Sequence, residues 1–181
     1  MYYFAYGSNM LHARLARRVP TALPLGAARL SRHVLRFHKH GADGSGKCNA
    51  FMTGREEDVI HGALYELDDN KLAKLHAAEG PGYEFVNVTV ESSKGPVQAA
   101  VYRARNAWLD DAMAPFTWYQ AFVVAGAKEN SLPLDYISYV ENLFARRDPN
   151  LLRHLYNRWI LRRPLRGKAK RMASQARAAQ R

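Results

Sequence analysis

The chain has 181 residues, of which 48% are hydrophobic and 24% charged, with a formal net charge of +11. That is the size of one domain, and the composition excludes collagen, coiled coil and wholesale disorder. No apolar run reaches the roughly 18 residues a membrane span needs, and the single cysteine, Cys48, excludes an intrachain disulfide framework and a cysteine-based structural zinc site.

From the N-terminus, Tyr2 to Tyr6 is short and aromatic-rich and reads as a strand, stopped by the turn-forming Gly7-Ser8-Asn9. Asn9 is then the expected cap of a helix whose stripe is Met10, Ala13, Leu15 and Ala16 and which ends before Pro20. Ala27 to Phe37 alternates loosely and predicts one long strand, and His38 to Lys47, with Gly41, Gly44 and Gly46, predicts a loop. Cys48 to Met52 reads as a short strand and Val59 to Leu67 as a buried one, followed by Asp68 and Asp69 as caps of a helix from Asn70 to Ala78. Glu79 stands where that helix ends. Tyr83 to Glu91 and Val97 to Arg103 alternate on either side of a Ser92 to Gly95 turn, the pattern of a hairpin. Trp118 to Glu129 predicts a helix, Asn130-Ser131-Leu132-Pro133 a break, and Leu134 to Arg146 a further helix. Five or six strands interspersed with helices, an antiparallel hairpin among them, argue for an α+β fold rather than a doubly wound parallel sheet.

The charge is uneven. Residues 158 to 181 hold nine Lys/Arg and no acid, while residues 1 to 157 carry 18 basic against 16 acidic side chains. The expected organisation is thus a body, 1–157, and a basic tail, 158–181, whose Pro164, Gly167 and Ala/Ser/Gln/Arg ending bury too little apolar area to offset the entropy of ordering, apart from its start near Trp159 and Leu161. Such a tail can hold an anionic partner through counterion release or serve solubility alone, and nucleic-acid binding, which would rest on it alone, is not expected. The Lys/Arg of the body do not cluster in sequence around the motifs described next. The opening Met1 to Met10 lacks a basic segment leading into an apolar one, so neither an export signal nor a membrane partner is expected, and the expected location is cytoplasmic.

The usual catalytic signatures are missing: there is no GxxxxGKS/T phosphate loop, GxGxxG fingerprint, HExxH pair or GxSxG elbow. His38 and His40 alternate beside a glycine loop, but no third ligand has recognisable metal-site spacing, so a solvated loop and no metal are expected. Cys48 has no base beside it in sequence and reads as a buried packing thiol. Two segments stand out. In Tyr6-Gly7-Ser8-Asn9 a glycine joins strand to helix, which either lets the backbone approach a ligand with the helix-start amides as an anion or oxyanion site, or is a plain strand-to-helix turn. In Glu79-Gly80-Pro81-Gly82-Tyr83 a carboxylate sits at a helix C-terminus, the wrong end for the dipole, which argues for a purpose other than stability; an ordinary surface Glu before Gly is the alternative.

Taken in order, Tyr3-Phe4-Ala5-Tyr6-Gly7-Ser8-Asn9, Ile60-His61-Gly62-Ala63-Leu64-Tyr65-Glu66-Leu67, Glu79-Gly80 and Gly126-Ala127-Lys128-Glu129-Asn130-Ser131-Leu132-Pro133 resemble the γ-glutamylcyclotransferase family, over residues 2 to 145. The resemblance implies a compact mixed β-barrel with flanking helices, a cavity at its mouth, and release of 5-oxoproline from a small γ-glutamyl compound, with neither metal nor organic cofactor. It implies Glu79 as the catalytic glutamate and Tyr3, Phe4, Ala5, Tyr6, Gly7 and Ser8 as the substrate loop. Tyr119, seven residues before Gly126, matches a tyrosine that reaches the family's pocket, and reads equally as a core tyrosine on an amphipathic helix. Tyr6 and Tyr83 are expected in the pocket wall, Asn9 either caps its helix or touches ligand, and Lys128 and Glu129 read as structural at a helix end. The Gly80-Pro81-Gly82 connection is short for the family, so the acceptor half of the substrate is not carried over. Free γ-glutamyl amino acids, glutathione, γ-glutamyl amines and a carrier-bound γ-glutamyl group are all used by proteins of this kind.

The implied chemistry suits the residue inventory. In a γ-glutamyl amide the α-amine attacks its own γ-carbonyl and closes a five-membered ring, so no Ser, Cys or metal-bound nucleophile is needed. What is needed is a base for the α-ammonium, an oxyanion site, and an acid for the departing amine. One carboxylate, Glu79, serves both transfers, and partial desolvation is expected to bring its proton affinity toward neutrality. The alternative from another class is a non-catalytic module whose cavity binds an acidic metabolite while the tail contacts an anionic partner; Glu79 weighs against it, since such a pocket gains nothing from a further negative charge. No oligomeric state is expected from the sequence.

Overall fold

The buried run from residue 59 to 67 and the alternating segments on both sides of the turn at Ser92 are, in the computed structural model, which describes residues 1–162, strands of a closed barrel. The strands are β1 (Tyr2–Ala5), β2 (Leu23–Ser31), β3 (His33–His40), β4 (Gly46–Met52), β5 (Val59–Glu66), β6 (Tyr83–Ser92) and β7 (Gly95–Ala104). The barrel order is β1-β5-β2-β6-β7, while β3 and β4 pair with each other as a separate two-stranded sheet. Neighbours in the barrel are antiparallel except at the closure, where β1 lies parallel to β7 with Tyr3 opposite Ala100. The helices are α1 (His12–Leu15), α2 (Ala73–Glu79), α3 (Thr117–Glu129), α4 (Leu134–Asn142) and α5, residues 151–162. The fold is therefore the α+β mixed barrel with flanking helices that the sequence leads one to expect.

α3 is the helix that matters most for the site. Its buried residues fall in two rows four apart, Trp118, Phe122 and Gly126 beside Tyr119, Val123 and Ala127, which is the stripe a helix turns toward a core. Phe122 and Val123 are fully buried, and such side chains contribute about 2 kcal/mol each relative to exposure. The same core holds Phe4, Met10, Tyr65 and Phe116.

The local pattern misreads several boundaries. The single strand expected from Ala27 to Phe37 is two, because Arg32 adopts a φ of +63°, sending β2 into the barrel and β3 into the hairpin with β4. That left-handed conformation costs an L-residue about 1–2 kcal/mol, and alternation does not reveal it. The loop expected from His38 to Lys47 shrinks to residues 41–45, since β3 and β4 run into it from both sides. The first helix begins at His12: Ser8–Met10 form one 3-10 turn, and an extended Leu11 separates the two, so Asn9 caps nothing. The helix expected from Leu134 to Arg146 stops at Asn142, where Leu143 turns extended and Arg146 comes to lie beside Phe116.

α5 runs across the expected boundary between residues 157 and 158, while residues 163–181 of the basic tail lie outside the described residues. Ile160 and Leu161 pack on the core, and Asp148, just before α5, accepts hydrogen bonds from Trp118 Nε1 (2.8 Å) and from Arg153 (2.6 and 2.8 Å). The Arg153 guanidinium holds the Asp148 carboxyl well below the usual carboxylate range. Among the described residues no helix is long and apolar enough to cross a membrane.

Candidate active site

Two segments far apart in sequence meet at the barrel mouth. β1 carries Tyr3 and leads into Tyr6 and the Gly7-Ser8 turn, and α2 carries Glu79 at its last position. α2 ends there because Gly80 takes a φ of +73°, a conformation open to glycine and resisted by residues with a Cβ. Asn9 Nδ2 donates to Glu79 Oε1 (2.9 Å) and to Tyr3 Oη (3.0 Å). Arg18 Nη1 donates to Glu79 Oε1 and to Asn9 Oδ1, both at 2.8 Å, closing a ring of three side chains. An expectation built on desolvation alone therefore omits a partner: Arg18 offsets the carboxylate's charge and fixes its orientation, with both side chains largely sheltered from water.

Beside Glu79 lies a recess of about 30 Å3, room for about two water molecules, walled by Tyr3, Tyr6, Tyr83, Tyr102 and Tyr119 and floored by Gly7, Ser8 and Cys48. Ser8, Glu79, Tyr83 and Tyr119 also border an outer cleft of about 400 Å3. Burial pushes the phenols of Tyr3, Tyr6, Tyr83 and Tyr119 well above the ordinary tyrosine value, so all four remain neutral hydroxyls. Tyr6 donates to the Tyr102 carbonyl, Tyr83 donates to the Cys48 carbonyl (2.7 Å), and the Cys48 amide donates to Tyr119 Oη (3.4 Å). Tyr119 is a buried residue of α3 that also lines the recess. The amides of Gly7 and Ser8 have no acceptor among the described residues, and Ser8 Oγ accepts from Arg14 Nε (3.1 Å). These amides belong to a single 3-10 turn, so they act as local donors without the dipole of a long helix behind them.

The Gly126 to Pro133 motif fixes that turn from behind. A Cβ on Gly126 would stand 2.6 Å from both Leu11 N and Met10 Cβ, so only glycine lets α3 come this close. Asn130 Nδ2 donates to the Met10 carbonyl (2.9 Å), Tyr65 Oη donates to the same oxygen (2.7 Å), and Glu129 Oε2 accepts from the His12 amide (2.9 Å). Lys128 reaches away from the site to Glu141 (2.6 Å).

Of the residues expected around a substrate, Tyr3, Tyr6, Gly7, Ser8, Glu79 and Tyr119 line the recess, and Phe4 and Ala5 do not. Phe4 and Ala5 are buried in β1 within the core, and a strand that alternates its faces cannot turn a continuous run toward one cavity. Sequence reasoning missed the cations. Scattered along the chain, Arg14, Arg18, Lys39 and Lys47 assemble around the outer cleft. Arg14 and Arg18 are four residues apart after the Gly7 turn, and Lys39 lies opposite Lys47 in the β3–β4 register, so a hairpin read through the glycine loop would have paired them. His38, expected on a solvated loop, is buried between Asp111 (2.7 Å) and Asn49 (2.9 Å), and among the described residues no group of three or more His, Cys, Asp or Glu is arranged to hold a metal. A separate groove of about 450 Å3 along β4 and β7 contains none of the recess residues.

Fold and site together define a mixed-barrel protein with a sheltered carboxylate facing tyrosines at its mouth. Residues 59–140 match the AIG2-like family. A γ-glutamylcyclotransferase of Bos taurus is 31% identical over 141 residues, spanning 74% of this chain and 73% of the bovine protein. The γ-glutamylcyclotransferase of Homo sapiens is 30% identical over 145 residues, with the same coverage of 74% and 73%. A solved γ-glutamyl cyclotransferase superposes with a TM-score of 0.73 at 26% identity, covering 81% of this chain and 89% of that one. The chain belongs to the γ-glutamylcyclotransferase family and is an enzyme of that type.

Proposed function

We propose that the protein releases 5-oxoproline from a small γ-glutamyl substrate by intramolecular attack of the α-amine on the γ-carbonyl, with Glu79 relaying the protons. The observation that carries this reading is the position of Glu79 at the boundary between recess and cleft, opposite the unpartnered Gly7 and Ser8 amides. The recess is too small for a whole glutamyl group, so the reacting carbonyl sits at the boundary and the acceptor half extends into the cleft.

In the reaction a C–N bond forms to the α-nitrogen and the amide C–N bond to the acceptor breaks. The α-ammonium gives up two protons in becoming the lactam N–H, and the departing nitrogen takes up two in leaving as an ammonium. A carboxylate held by Arg18 and Asn9 can take and return these protons without moving, and the amides of Gly7 and Ser8 supply donors for the substrate carboxylate or the oxyanion. The neutral hydroxyl of Tyr119 is placed to add a further hydrogen bond. Tyr3 contributes by fixing Asn9, and Tyr6 by fixing the wall at Tyr102.

The test is mass-spectrometric detection of 5-oxoproline from γ-glutamyl amino acids, glutathione and γ-glutamyl amines, comparing wild type with Glu79→Gln. The amide oxygen of glutamine still accepts from Arg18 and Asn9, so the site keeps its shape while losing the base. Turnover is expected to fall by about 10²–10⁴-fold, the usual share of a general acid–base group. Turnover by Glu79→Gln close to wild type, at unchanged folding, would remove Glu79 from this role.

A further inference from the structure

The outer cleft carries four cations, Arg14, Arg18, Lys39 and Lys47, against two carboxylates, Asp43 and Glu79. Two of the cations are neutralised in place, Arg18 by Glu79 (2.8 Å) and Lys47 by Asp43 (2.7 Å). Arg14 and Lys39 have no carboxylate partner among the described residues. Arg14 sits at the recess end, bonded to Ser8 and resting on the Phe122 ring at 4.8 Å. Lys39 sits at the outer end. Its residue is 6% exposed, and its ammonium makes no hydrogen bond to protein among the described residues. Instead it lies over the rings of Tyr83 (4.8 Å) and Trp108 (5.0 Å) and borders the cleft.

The two rings hold the ammonium by cation–π contacts but supply no counter-ion, and its register partner in the β3–β4 pair is a second cation, Lys47. Burial lowers its proton affinity, and the charges of Glu79 and Asp43, neither of them bonded to it, offset this only in part. Glycine at position 82 leaves the lysine its present place: a Cβ there would stand 2.6 Å from Lys39 Cε and 2.8 Å from its Nζ, so the end of the side chain would have to shift. The short Gly80-Pro81-Gly82 connection thus leaves space for a partly desolvated cation that borders the cleft.

We propose that Lys39 binds a carboxylate on the acceptor half of the substrate, so that the enzyme selects γ-glutamyl amino acids or γ-glutamyl peptides over γ-glutamyl amines. The inference rests on the cyclotransferase reading of the same site. Two cations without carboxylate partners match the two carboxylates of a γ-glutamyl amino acid, one on the glutamyl head near Arg14 and one on the acceptor near Lys39, whereas a γ-glutamyl amine offers only the first. A buried cation left without its anion by an amine acceptor gives discrimination that apolar contacts alone do not reach.

The experiment compares γ-glutamyl-alanine with γ-glutamyl-alaninamide, which differ only in the acceptor carboxylate. Wild type is expected to favour the acid in kcat/KM by about 10- to 100-fold, the worth of a hydrogen bond to a charged group. Lys39→Met, which keeps an unbranched apolar stem between the two rings but removes the charge, is expected to bring that ratio to about one, and Lys39→Arg to keep a preference for the acid. The same two compounds are titrated calorimetrically into Glu79→Gln and into Glu79→Gln combined with Lys39→Met, which reads the subsite without turnover. Loss of the acid preference in binding, with no 5-oxoproline from any chain, would uphold Lys39 and overturn the catalytic reading. Turnover of both compounds by wild type at similar kcat/KM, or a Lys39→Met ratio equal to that of wild type, would overturn the Lys39 subsite and leave the catalytic reading standing. Neither turnover nor binding would overturn both.

Discussion

Glu79 and Cys48 border the same tyrosine-walled recess, yet only Glu79 has a cation bonded to it. Burying an anion without a partner is costly, whereas a hydrogen-bonded counter-ion offsets much of that cost. Arg18 supplies this for the carboxylate. For the sulfur, burial dominates and pushes the thiol up to about 12, with Tyr119 and the charge of Lys47 offsetting only part. At pH 8, on the order of one Cys48 in ten thousand is then a thiolate, and only the thiolate is nucleophilic. The expected result is that Ellman's reagent labels the native protein at pH 8 at least about 10³-fold more slowly than the urea-unfolded chain. Labelling of the native protein at the rate of an exposed thiol would show that the recess opens to solvent and that Cys48 is more than a packing group.

At the scale of elements, the site depends on how closely α3 approaches the Ser8–Met10 turn, and Gly126 sets that distance. In an isolated helix, alanine in place of glycine stabilises by about 1 kcal/mol. Here the added methyl meets a backbone nitrogen at 2.6 Å, and overpacking of that kind costs about 1–3 kcal/mol, so the clash outweighs the propensity. Gly126→Ala is expected to lower Tm by roughly 2–6 °C and to lower kcat/KM further than the lost stability explains, because the displaced turn carries the Gly7 and Ser8 amides. A rise in Tm would show that α3 does not press on the turn. The same element explains which parts of the site were legible beforehand. Strand alternation, the Gly7 turn and the helix ending at Glu79 are local patterns within a few residues, so the barrel strands and the two recess-forming segments can be read from sequence. The break at Arg32 rests on one unusual φ, and the meeting of Arg18 with Glu79 or Lys39 with Gly82 is fixed only by tertiary packing, which no local pattern encodes. Asn9 fits a cap by residue type but turns to Tyr3 and Glu79, because its turn ends at an extended Leu11 rather than opening a helix.

At the scale of the whole molecule, the end of the described chain supports the site from outside. Tyr156, Trp159 and Ile160 of α5 share a groove of about 420 Å3 with Leu11, Arg14 and Phe122. Arg14 in turn rests on Phe122 and holds Ser8, so the groove that α5 borders adjoins the recess through Arg14. A boundary drawn from charge at residue 158 would cut this helix, whereas one drawn after Arg162 keeps every contact named above. A chain ending at residue 157 loses the packing of Ile160 and Leu161, half-buried side chains worth about 1 kcal/mol each. It is expected to melt roughly 4–8 °C below a chain ending at residue 162, since each kcal/mol shifts a domain of this size by about 2–4 °C. Because the groove beside Arg14 loses Trp159 and Ile160 from its lining, the shorter chain is also expected to show a higher KM for γ-glutamyl-alanine at temperatures where it remains folded, with kcat less affected. Equal melting and equal KM for the two truncations would mean that α5 rests on the barrel without supporting it, and that the functional body does end where the charge changes.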